Sequence, residues 1–308
     1  MTDMASHDDH QDQRPRVVTT RRELFDLLST VEARAGLVMT MGALHAGHLS
    51  LVQCAREHAD FVVVSIFVNP TQFAPGEDFD SYPRTLDADI EALSSVGADL
   101  VFAPSVEEMY PEEARVMIDP GPAARVLEGR TRPTHFAGVC QVVNRVLNLV
   151  RPEVAVFGQK DAQQLAIIRQ MVRDFGMRTE IIGAPIVRDP DGLAMSSRNA
   201  YLSADERQRA LTLSAALRHG RQRVIEGVSA REVVEVVREQ LTQPGIALDY
   251  VALTDPDSYE VLVSTHEPEV NTTLDDDRYR GRSFVLAVAA RVGSTRLIDN
   301  VVVEFPTT

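Results

Sequence analysis

The spacing of apolar residues divides the chain into two parts of different character. Between residues 16 and 188, short apolar runs alternate with segments of helical spacing. The run Phe61–Val68 is the clearest strand, and Leu37–Met39 and Val154–Phe157 have the same character. Helices are predicted between the strands, over residues 20–33, 49–58, 86–96, 139–150 and 162–175. This alternation predicts an α/β fold with a mostly parallel sheet flanked by helices.

Beyond Arg198 the pattern changes to consecutive helices followed by consecutive strands. Ser203-Ala-Asp-Glu206 and Ser229-Ala-Arg-Glu232 are capping boxes, and each opens a long amphipathic segment. Strands are then predicted over residues 246–253, 261–263, 283–290 and 301–305. We therefore predict an α/β domain over residues 16–188 and a smaller C-terminal α+β domain over residues 189–308.

Two segments fall outside this periodicity. Residues 1–15 are polar and acidic, which predicts a disordered tail. Residues 266–280, with the sequence HEPEVNTTLDDDRYR, are acidic and aperiodic. We predict that they form an exposed insertion between two strands of the C-terminal domain.

Charge and cysteine content argue against several classes of protein. The 308 residues carry a formal net charge of −14, whereas a nucleic-acid-binding surface needs clustered Lys and Arg. Cys54 and Cys140 have neither metal-site spacing nor the pattern of a disulfide framework. No apolar stretch is long enough to span a membrane, and the N-terminus lacks the apolar core of a signal peptide. These features predict a cytoplasmic protein whose partners are small molecules.

A strand, a small-residue turn and a helix follow one another between Gly36 and Cys54. The turn leads into His45-Ala-Gly-His48, which places both histidines at or just inside the helix N-terminus, on one face. Because a helix N-terminus presents free N–H groups and a positive dipole, this junction is a candidate phosphate site. Taken alone, two histidines at this spacing more often bond to backbone groups or lie in solvent. A zinc site is disfavoured because no Glu or Cys ligand accompanies the pair.

Three further polar segments lie at strand ends or just beyond the last strand of this domain. Asn69 and Gln72 follow one strand, Gly158–Asp161 follows another, and Met195–Arg198 lies on a Gly-bearing loop. Ligands of open α/β sheets bind at the carboxyl ends of the strands, so these segments should converge. Lysine, arginine and adjacent hydroxyls suit a polyphosphate, although each motif alone is commonplace. Residues 130–138 form a polar, loop-like patch that could hold a carboxylate or a phosphate.

Six motifs occur in order along the chain. They are Thr40-Met-Gly-Ala-Leu-His-Ala-Gly-His48, Ser65-Ile-Phe-Val-Asn-Pro-Thr-Gln-Phe73, Tyr82-Pro-Arg-Thr85, Arg132-Pro-Thr-His-Phe-Ala-Gly138, Phe157-Gly-Gln-Lys-Asp161 with Gln164, and Met195-Ser-Ser-Arg-Asn199. Together they resemble the pantothenate synthetase (pantoate–β-alanine ligase) family, and the similarity runs from about residue 16 to the end of the chain. That family belongs to the nucleotidylyltransferase superfamily. The resemblance implies a Rossmann-like parallel sheet with helices on both faces and a C-terminal lid domain.

The resemblance also implies a reaction and its partners. Family members condense pantoate with β-alanine through a pantoyl-adenylate and release AMP and pyrophosphate from ATP. They use Mg²⁺, to which we assign no protein ligand, and they are usually homodimers. The alternative reading is another adenylyl- or cytidylyltransferase of the same superfamily. An alternative of another class is a nucleotide-sensing protein without turnover.

Carried onto this sequence, the resemblance assigns three groups of residues. Donors to the developing phosphate charge are expected at His45, His48, Lys160, Ser196, Ser197 and Arg198. The nucleotide site is expected at Met41, Gly42, Ala43, Leu44, His45, Ala46, Gly47, His48, Gly158, Gln159, Lys160, Asp161, Val187, Met195, Ser196, Ser197 and Arg198. Substrate binding is expected at Gln72 and Gln164, with Asn69, Arg132 and His135 as further candidates.

Overall fold

Six parallel strands form the larger of two sheets. A computed structural model describes residues 14–74, 76–77, 79–266 and 279–307. The strands are β1 Arg16–Val18, β2 Ala35–Thr40, β3 Phe61–Ile66, β4 Leu100–Phe102, β5 Val154–Gly158 and β6 Glu180–Ala184. They lie in the order β1-β4-β3-β2-β5-β6. Because β3 and β5 lie on opposite sides of β2, the connections diverge there and open a crevice at the carboxyl ends of the strands.

Helices cover both faces of this sheet. One face carries α1 Arg21–Leu28, α6 His135–Val150 and α7 Ala162–Asp174, and the other carries α2 Ala46–His58 and α3 Leu86–Ser94. Alternate strand residues serve the two layers, so that Leu37 is buried on the first face and Val38 on the second. Two short helices, α4 Val106–Met109 and α5 Glu128–Thr131, lie in the connections. The predicted α/β fold is confirmed.

The C-terminal part pairs two helices with a four-stranded antiparallel sheet. The helices α8 Ala204–Ile225 and α9 Ala230–Leu241 begin at Ser203 and Ser229, whose predicted capping boxes both form. The strands β7 Ile246–Thr254, β8 Val261–Ser264, β9 Ser283–Val292 and β10 Thr295–Glu304 lie in the order β10-β9-β7-β8. The predicted α+β character is therefore confirmed.

The two faces of the smaller sheet have different neighbours. One face packs on α8 and α9, where Leu253 and Leu286 join the helix side chains in a buried cluster. The other face clusters with the first domain, where Tyr250 and Ala287 join Leu127 and Ala166. The C-terminal sheet thus lies between its own helices and the α/β domain.

Several element boundaries differ from the prediction, among them the end of α1, which lies at Leu28 and not at residue 33, and two of the differences concern the site. Helix α6 begins at His135 rather than Val139, so His135 is helical and not part of a loop. Strand β10 begins at Thr295 rather than Val301, because its pairing with β9 continues through polar residues that break the apolar pattern. Those polar residues are Arg296, Asp299 and Asn300, and their side chains bond to groups outside the sheet.

Three predictions about segments have different outcomes. The predicted tail over residues 1–15 lies outside the described residues except for Arg14 and Pro15, and most of segment 266–280 lies outside them too. At the far end of that segment, Tyr279 is only 3% exposed and packs between Phe284 and Phe305, contrary to the prediction, whereas its neighbour Arg280 is exposed. The domain boundary after residue 188 stays a prediction.

Within the described ranges, no helix combines the length and apolarity needed to cross a bilayer.

Candidate active site

A buried carboxylate from α3 holds the loop that follows β2. Gly42 and Ala43 both have positive φ, of 86° and 51°, a conformation that is unfavourable for a residue with a Cβ. Asp89, which is 2% exposed, accepts hydrogen bonds from the main-chain N–H of Ala43 at 3.1 Å and of Leu44 at 2.8 Å. The hydroxyl of Thr85 donates to the same carboxylate at 3.2 Å. Asp89 therefore stabilises the strained turn from which α2 starts.

The two histidines stack at the N-terminus of α2, as predicted. His45 is the N-cap, His48 lies three residues later, and their ring centroids are 4.1 Å apart. Nδ1 of His45 accepts a hydrogen bond from the N–H of Gly47 at 3.1 Å, and Nδ1 of His48 accepts one from the N–H of His45 at 3.4 Å. A Cβ at position 47 would lie 2.8 Å from the His45 ring, so any larger residue there would displace that ring. This hydrogen-bond pattern assigns the ring protons to Nε2, which leaves one N–H donor on each imidazole.

Both imidazoles are held in the neutral form. Burial, with the neighbouring His45 as a smaller cause, lowers the pKa of His48 to about 4. Burial and the nearby Lys160 ammonium also lower the pKa of His45. Near neutral pH the pair therefore offers N–H donors rather than an imidazolium acid.

The polar segment after β3 is organised by Asn69, whose side chain is 1% exposed. Its amide nitrogen donates to Oε1 of Gln72 and to the carbonyl oxygen of Gly138, both at 3.1 Å. Its amide oxygen accepts from the hydroxyls of Thr71 and Tyr110, both at 2.9 Å. A Cβ at position 138 would lie 2.2 Å from the carbonyl oxygen of Thr71, so glycine allows this turn to press against α6. Asn69 positions Gln72, and its own polar atoms are engaged within the protein.

Arg132 and His135 brace Gln72 from the side of α6. The Arg132 guanidinium forms a bidentate pair with Glu77, with both distances 2.8 Å, and donates to the main-chain oxygen of Gln72 at 3.3 Å. Nδ1 of His135 lies 3.0 Å from the same oxygen. Burial and Arg132 lower the pKa of His135, so the neutral ring donates its Nδ1–H to that oxygen. The Gln72 side chain in turn donates to the sulfur of Met41 at 3.1 Å.

The junction after β5 carries the predicted lysine. Gly158 ends the strand, and Lys160 lies in a 3-10 turn that runs directly into α7. Its ammonium is 4.0 Å from the Asp161 carboxylate and close enough to His45 to lower the pKa of that ring. The lysine therefore places a positive charge beside the stacked histidines.

Neighbouring glutamines at the start of α7 have different environments. The amide of Gln163, which is 2% exposed, donates to the carbonyl oxygens of Ala123 and Val126 and accepts from the N–H of Glu128. Gln164 instead lines a cavity at the carboxyl ends of the strands, and its side chain has no hydrogen-bond partner within the described ranges. Only the second glutamine is therefore available to a ligand.

The loop beyond β6 folds back on itself before the predicted serines. Arg188 and Ala194 pair as an isolated bridge that closes a tight turn. Ser196 then caps a 3-10 helix over residues 197–201, and its hydroxyl accepts from the N–H of Arg198 at 3.3 Å. The amide of Asn199 donates to the carbonyl oxygen of Ala194 at 3.0 Å, which ties the helix to the turn.

These four segments line one cavity of about 270 Å³ at the carboxyl ends of the central strands. A second cavity of about 510 Å³ adjoins it and reaches the C-terminal sheet. The predicted residues that line the first cavity are Met41, His45, Gly47, His48, Asn69, Gln72, Arg132, His135, Gly158, Lys160, Asp161, Gln164, Val187, Met195, Ser196, Ser197 and Arg198. The expected convergence of the polar segments is therefore what the structure shows.

Other residues predicted for the nucleotide site do not line that cavity. Gly42, Ala43 and Leu44 belong to the turn held by Asp89, and Ala46 lies within the first turn of α2. Gln159 presents its carbonyl oxygen to the C-terminal domain, where Asn300 donates to it at 2.9 Å. Direct contact of these residues with ATP stays a prediction.

The sequence analysis missed two kinds of residue. Tyr82, Val142 and Phe157 form part of an apolar wall of the cavity, and only their place in buried or motif positions could have indicated this. Asp89 bonds to the main chain of the loop after β2, and Asn300 bonds to that of the loop after β5. The indication of these roles in the sequence was weak, and for Asn300 it consisted of two polar residues inside an otherwise apolar strand.

The donor set fits a magnesium ion that arrives with a nucleotide better than a resident metal. Asp161 is the acidic residue in the cavity lining, whereas the Asp89 carboxylate is occupied by the loop. Mg²⁺ commonly binds through substrate phosphates, waters and one or two carboxylates. Among the described residues, one group of three could supply converging metal ligands, and it lies at the opposite end of α2, at Cys54, Glu57 and His58.

Comparison with known proteins places the chain in a family. The sequence profile of the Pantoate-beta-alanine ligase family matches residues 16–302. The chain belongs to this family. A pantothenate synthetase of Thermobifida fusca (strain YX) is 52% identical over 296 residues, which cover 92% of this chain and 95% of that protein. The resemblance inferred from the motifs is thus confirmed.

Solved structures agree. The pantothenate synthetase of Thermus thermophilus superposes with a TM-score of 0.81 at 43% identity, covering 93% of this chain and 98% of that one. The pantoate–β-alanine ligase of Francisella tularensis, crystallised with Beta-gamma ATP and β-alanine, superposes with a TM-score of 0.72 at 32% identity, covering 93% and 97%. The predicted ligation of pantoate to β-alanine is the reaction for which the family is named. The alternative of another adenylyl- or cytidylyltransferase has no such support.

Proposed function

We propose that the chain joins pantoate to β-alanine with ATP, through a pantoyl-adenylate. The observation that carries this proposal is the convergence of four polar segments on one cavity. Stacked imidazole donors, an ammonium group and a hydroxyl-bearing turn suit a polyphosphate, and two side-chain amides suit a hydroxy acid. Membership of the ligase family supports the same assignment.

The first step transfers an adenylyl group to the substrate carboxylate. A carboxylate oxygen of pantoate attacks the α-phosphorus of ATP, and the bond from that phosphorus to the bridging oxygen of pyrophosphate breaks. Negative charge grows on the phosphate oxygens, where the Nε2–H groups of His45 and His48 and the ammonium of Lys160 can donate. Because the histidines are neutral, they stabilise this charge as hydrogen-bond donors and lose no proton.

The second step forms the amide. The amine of β-alanine attacks the acyl carbon of the adenylate, and the bond to the AMP oxygen breaks. The first reaction activates the carboxyl group of pantoate, and the second displaces AMP from it, so no covalent enzyme intermediate is needed. Positioning of two reactants can by itself lower a barrier by about 7–11 kcal/mol.

Gln72 and Gln164 are the proposed pantoate ligands. Gln72 donates to the sulfur of Met41, a weak acceptor that a carboxylate or hydroxyl oxygen can replace. Gln164 lines the same cavity with an uncommitted amide among the described contacts. Asn69, Arg132 and His135 would then act on pantoate through Gln72, which they hold in place.

Mg²⁺ is proposed to enter as the Mg·ATP co-substrate, with Asp161 as the carboxylate that lines the cavity. Its contribution would be to neutralise charge on the departing pyrophosphate. A homodimeric state and a cytoplasmic location are kept as proposals from the resemblance and from the sequence. Light scattering on the eluting protein would decide between monomer and dimer.

Isotope exchange tests the adenylate. Labelled pyrophosphate should exchange into ATP when pantoate and Mg²⁺ are present, with no need for β-alanine. Pantoate that carries ¹⁸O in its carboxylate should pass one label to AMP during full turnover. Label in inorganic phosphate would instead indicate an acyl phosphate and would overturn the proposed mechanism.

A further inference from the structure

One dipeptide of the C-terminal strand β10 contacts both loops that carry the phosphate-directed side chains. Asp299 and Asn300 are polar, yet they are only 4% and 5% exposed. Most residues next to them in β10 are apolar. Asn300 bonds to the Lys160 loop, and Asp299 bonds to Arg188, which starts the loop that carries Ser196. We propose that Asn300 is a positioning residue that holds the Lys160 loop in the geometry needed for adenylation.

The contacts of Asn300 control the main chain on both sides of the lysine. Its amide nitrogen donates to the carbonyl oxygen of Gln159 at 2.9 Å and to that of Lys160 at 3.0 Å. These two bonds restrain the orientation of consecutive peptide planes, and with them the direction in which the Lys160 side chain leaves the main chain. Both donor hydrogens of the amide are used, so no other residue type of this size can replace it.

Asn300 is itself restrained by Asp299 and Arg188. The Asp299 carboxylate accepts two hydrogen bonds from the Arg188 guanidinium, at 2.7 and 3.0 Å, and one from the main-chain N–H of Asn300 at 2.8 Å. The same guanidinium donates to the carbonyl oxygens of Gly192 at 3.2 Å and of Asn300 at 3.4 Å. The two active-site loops are therefore connected to each other through β10.

A purely structural role would be to attach one domain to the other. That attachment is also made elsewhere on the same sheet, where Arg296 pairs with Glu128 of the first domain and with Asp249. The hydroxyl of Tyr250 donates to Glu128 at 2.9 Å and, among the described residues, has no hydrogen bond to either active-site loop. Tyr250→Phe therefore removes an interdomain hydrogen bond of the same length and serves as the matched control.

The test compares the two half-reactions, and it rests on the proposed function. Asn300→Ala should lower pyrophosphate exchange at saturating ATP and pantoate by ~10- to 100-fold, as expected for a misplaced donor. Pantothenate formation from supplied pantoyl-adenylate and β-alanine should stay within about 3-fold, because charge on the departing pyrophosphate develops only in the first step. Tyr250→Phe should leave both rates within about 3-fold. Equal losses in both half-reactions, or an equal exchange defect in Tyr250→Phe, would reduce Asn300 to a domain contact.

A double-mutant cycle identifies the group through which Asn300 acts. On a Lys160→Ala background, Asn300→Ala should cause at most a ~3-fold further loss of exchange, because the side chain that it positions is absent. A full additive loss would contradict the proposal. If Asn300→Ala does not fold, as judged by circular dichroism, Asn300→Ser is carried through the same cycle. Absence of exchange in the unmutated chain would overturn the proposed function. In that case the affinity for a non-hydrolysable ATP analogue would test Asn300, and an unchanged affinity in Asn300→Ala would count against its positioning role.

Discussion

The carboxylate of Asp89 accepts a hydrogen bond of 2.8 Å from the main-chain N–H of Leu44, across 45 residues of sequence. With the bond from Ala43, it satisfies two donors of a turn that contains consecutive positive-φ residues. The main-chain N–H groups of Ala43 and Leu44, which precede α2, are thus bound to protein.

We predict that Asp89→Asn distorts this turn. The amide keeps one acceptor and gains a donor that faces a main-chain N–H, so the variant should lose about 1–3 kcal/mol of unfolding free energy. The KM for ATP should rise together with this loss, because His45 follows the turn directly. Urea unfolding and steady-state kinetics measure the two effects. Asp87→Asn, on the exposed side of α3, is the control, and equal behaviour of the two variants would refute the role of Asp89.

His48→Ala should leave the fold intact and lower the rate of adenylate formation by at least ~100-fold, the range for a removed transition-state donor. His48→Gln should recover part of the rate, since its amide can donate without carrying charge. Single-turnover formation of AMP measures the effect. His58→Ala, at the exposed end of the same helix, should behave as the unmutated chain. A wild-type rate in His48→Ala would remove this residue from the mechanism.

The adjacent glutamines should separate binding from stability. Gln164→Ala should raise the KM for pantoate with little change in unfolding free energy, because its amide bonds to no described residue. Gln163→Ala leaves two buried carbonyl oxygens and one N–H without partners, and should cost at least about 2 kcal/mol of stability. Thermal unfolding and pantoate titrations of both variants form the comparison. The opposite pattern would exchange the two roles.

Stability should fall on acidification because of the lowered pKa of His48. The unfolded chain binds a proton at histidine with a pKa near 6.5, whereas burial lowers the pKa of His48 to about 4 in the folded chain. Between these values the unfolded state binds more protons, so this contribution is complete above about pH 6.5 and is lost as the pH approaches 4, by up to about 1.4 kcal/mol per pH unit. Urea unfolding of the wild type and of His48→Gln between about pH 7.5 and 4.5 measures it. The variant should depend less on pH, and parallel curves would contradict the assignment.

Much of the fold was predictable because its determinants are local. The run Phe61–Val68 is apolar on both faces, which is typical of a strand that is buried between two helical layers. The capping boxes at Ser203 and Ser229 are complete within four residues each, and both form. The prediction failed at β10, where polar residues interrupt the apolar pattern because they bond to another domain.

The sequence by itself determined the α/β fold class, the family and the set of segments that converge on the cavity. Each of these follows from periodicity or from short ordered motifs. Only the tertiary structure decided that the His45–His48 pair is neutral, since a pKa depends on burial by distant residues. It also separated Gln164 from Gln163 and showed the roles of Asp89 and Asn300, because those roles depend on contacts as far as 141 residues apart. Such contacts leave little trace in a single sequence, since one hydrogen bond changes neither the period nor the composition of the segments that it joins.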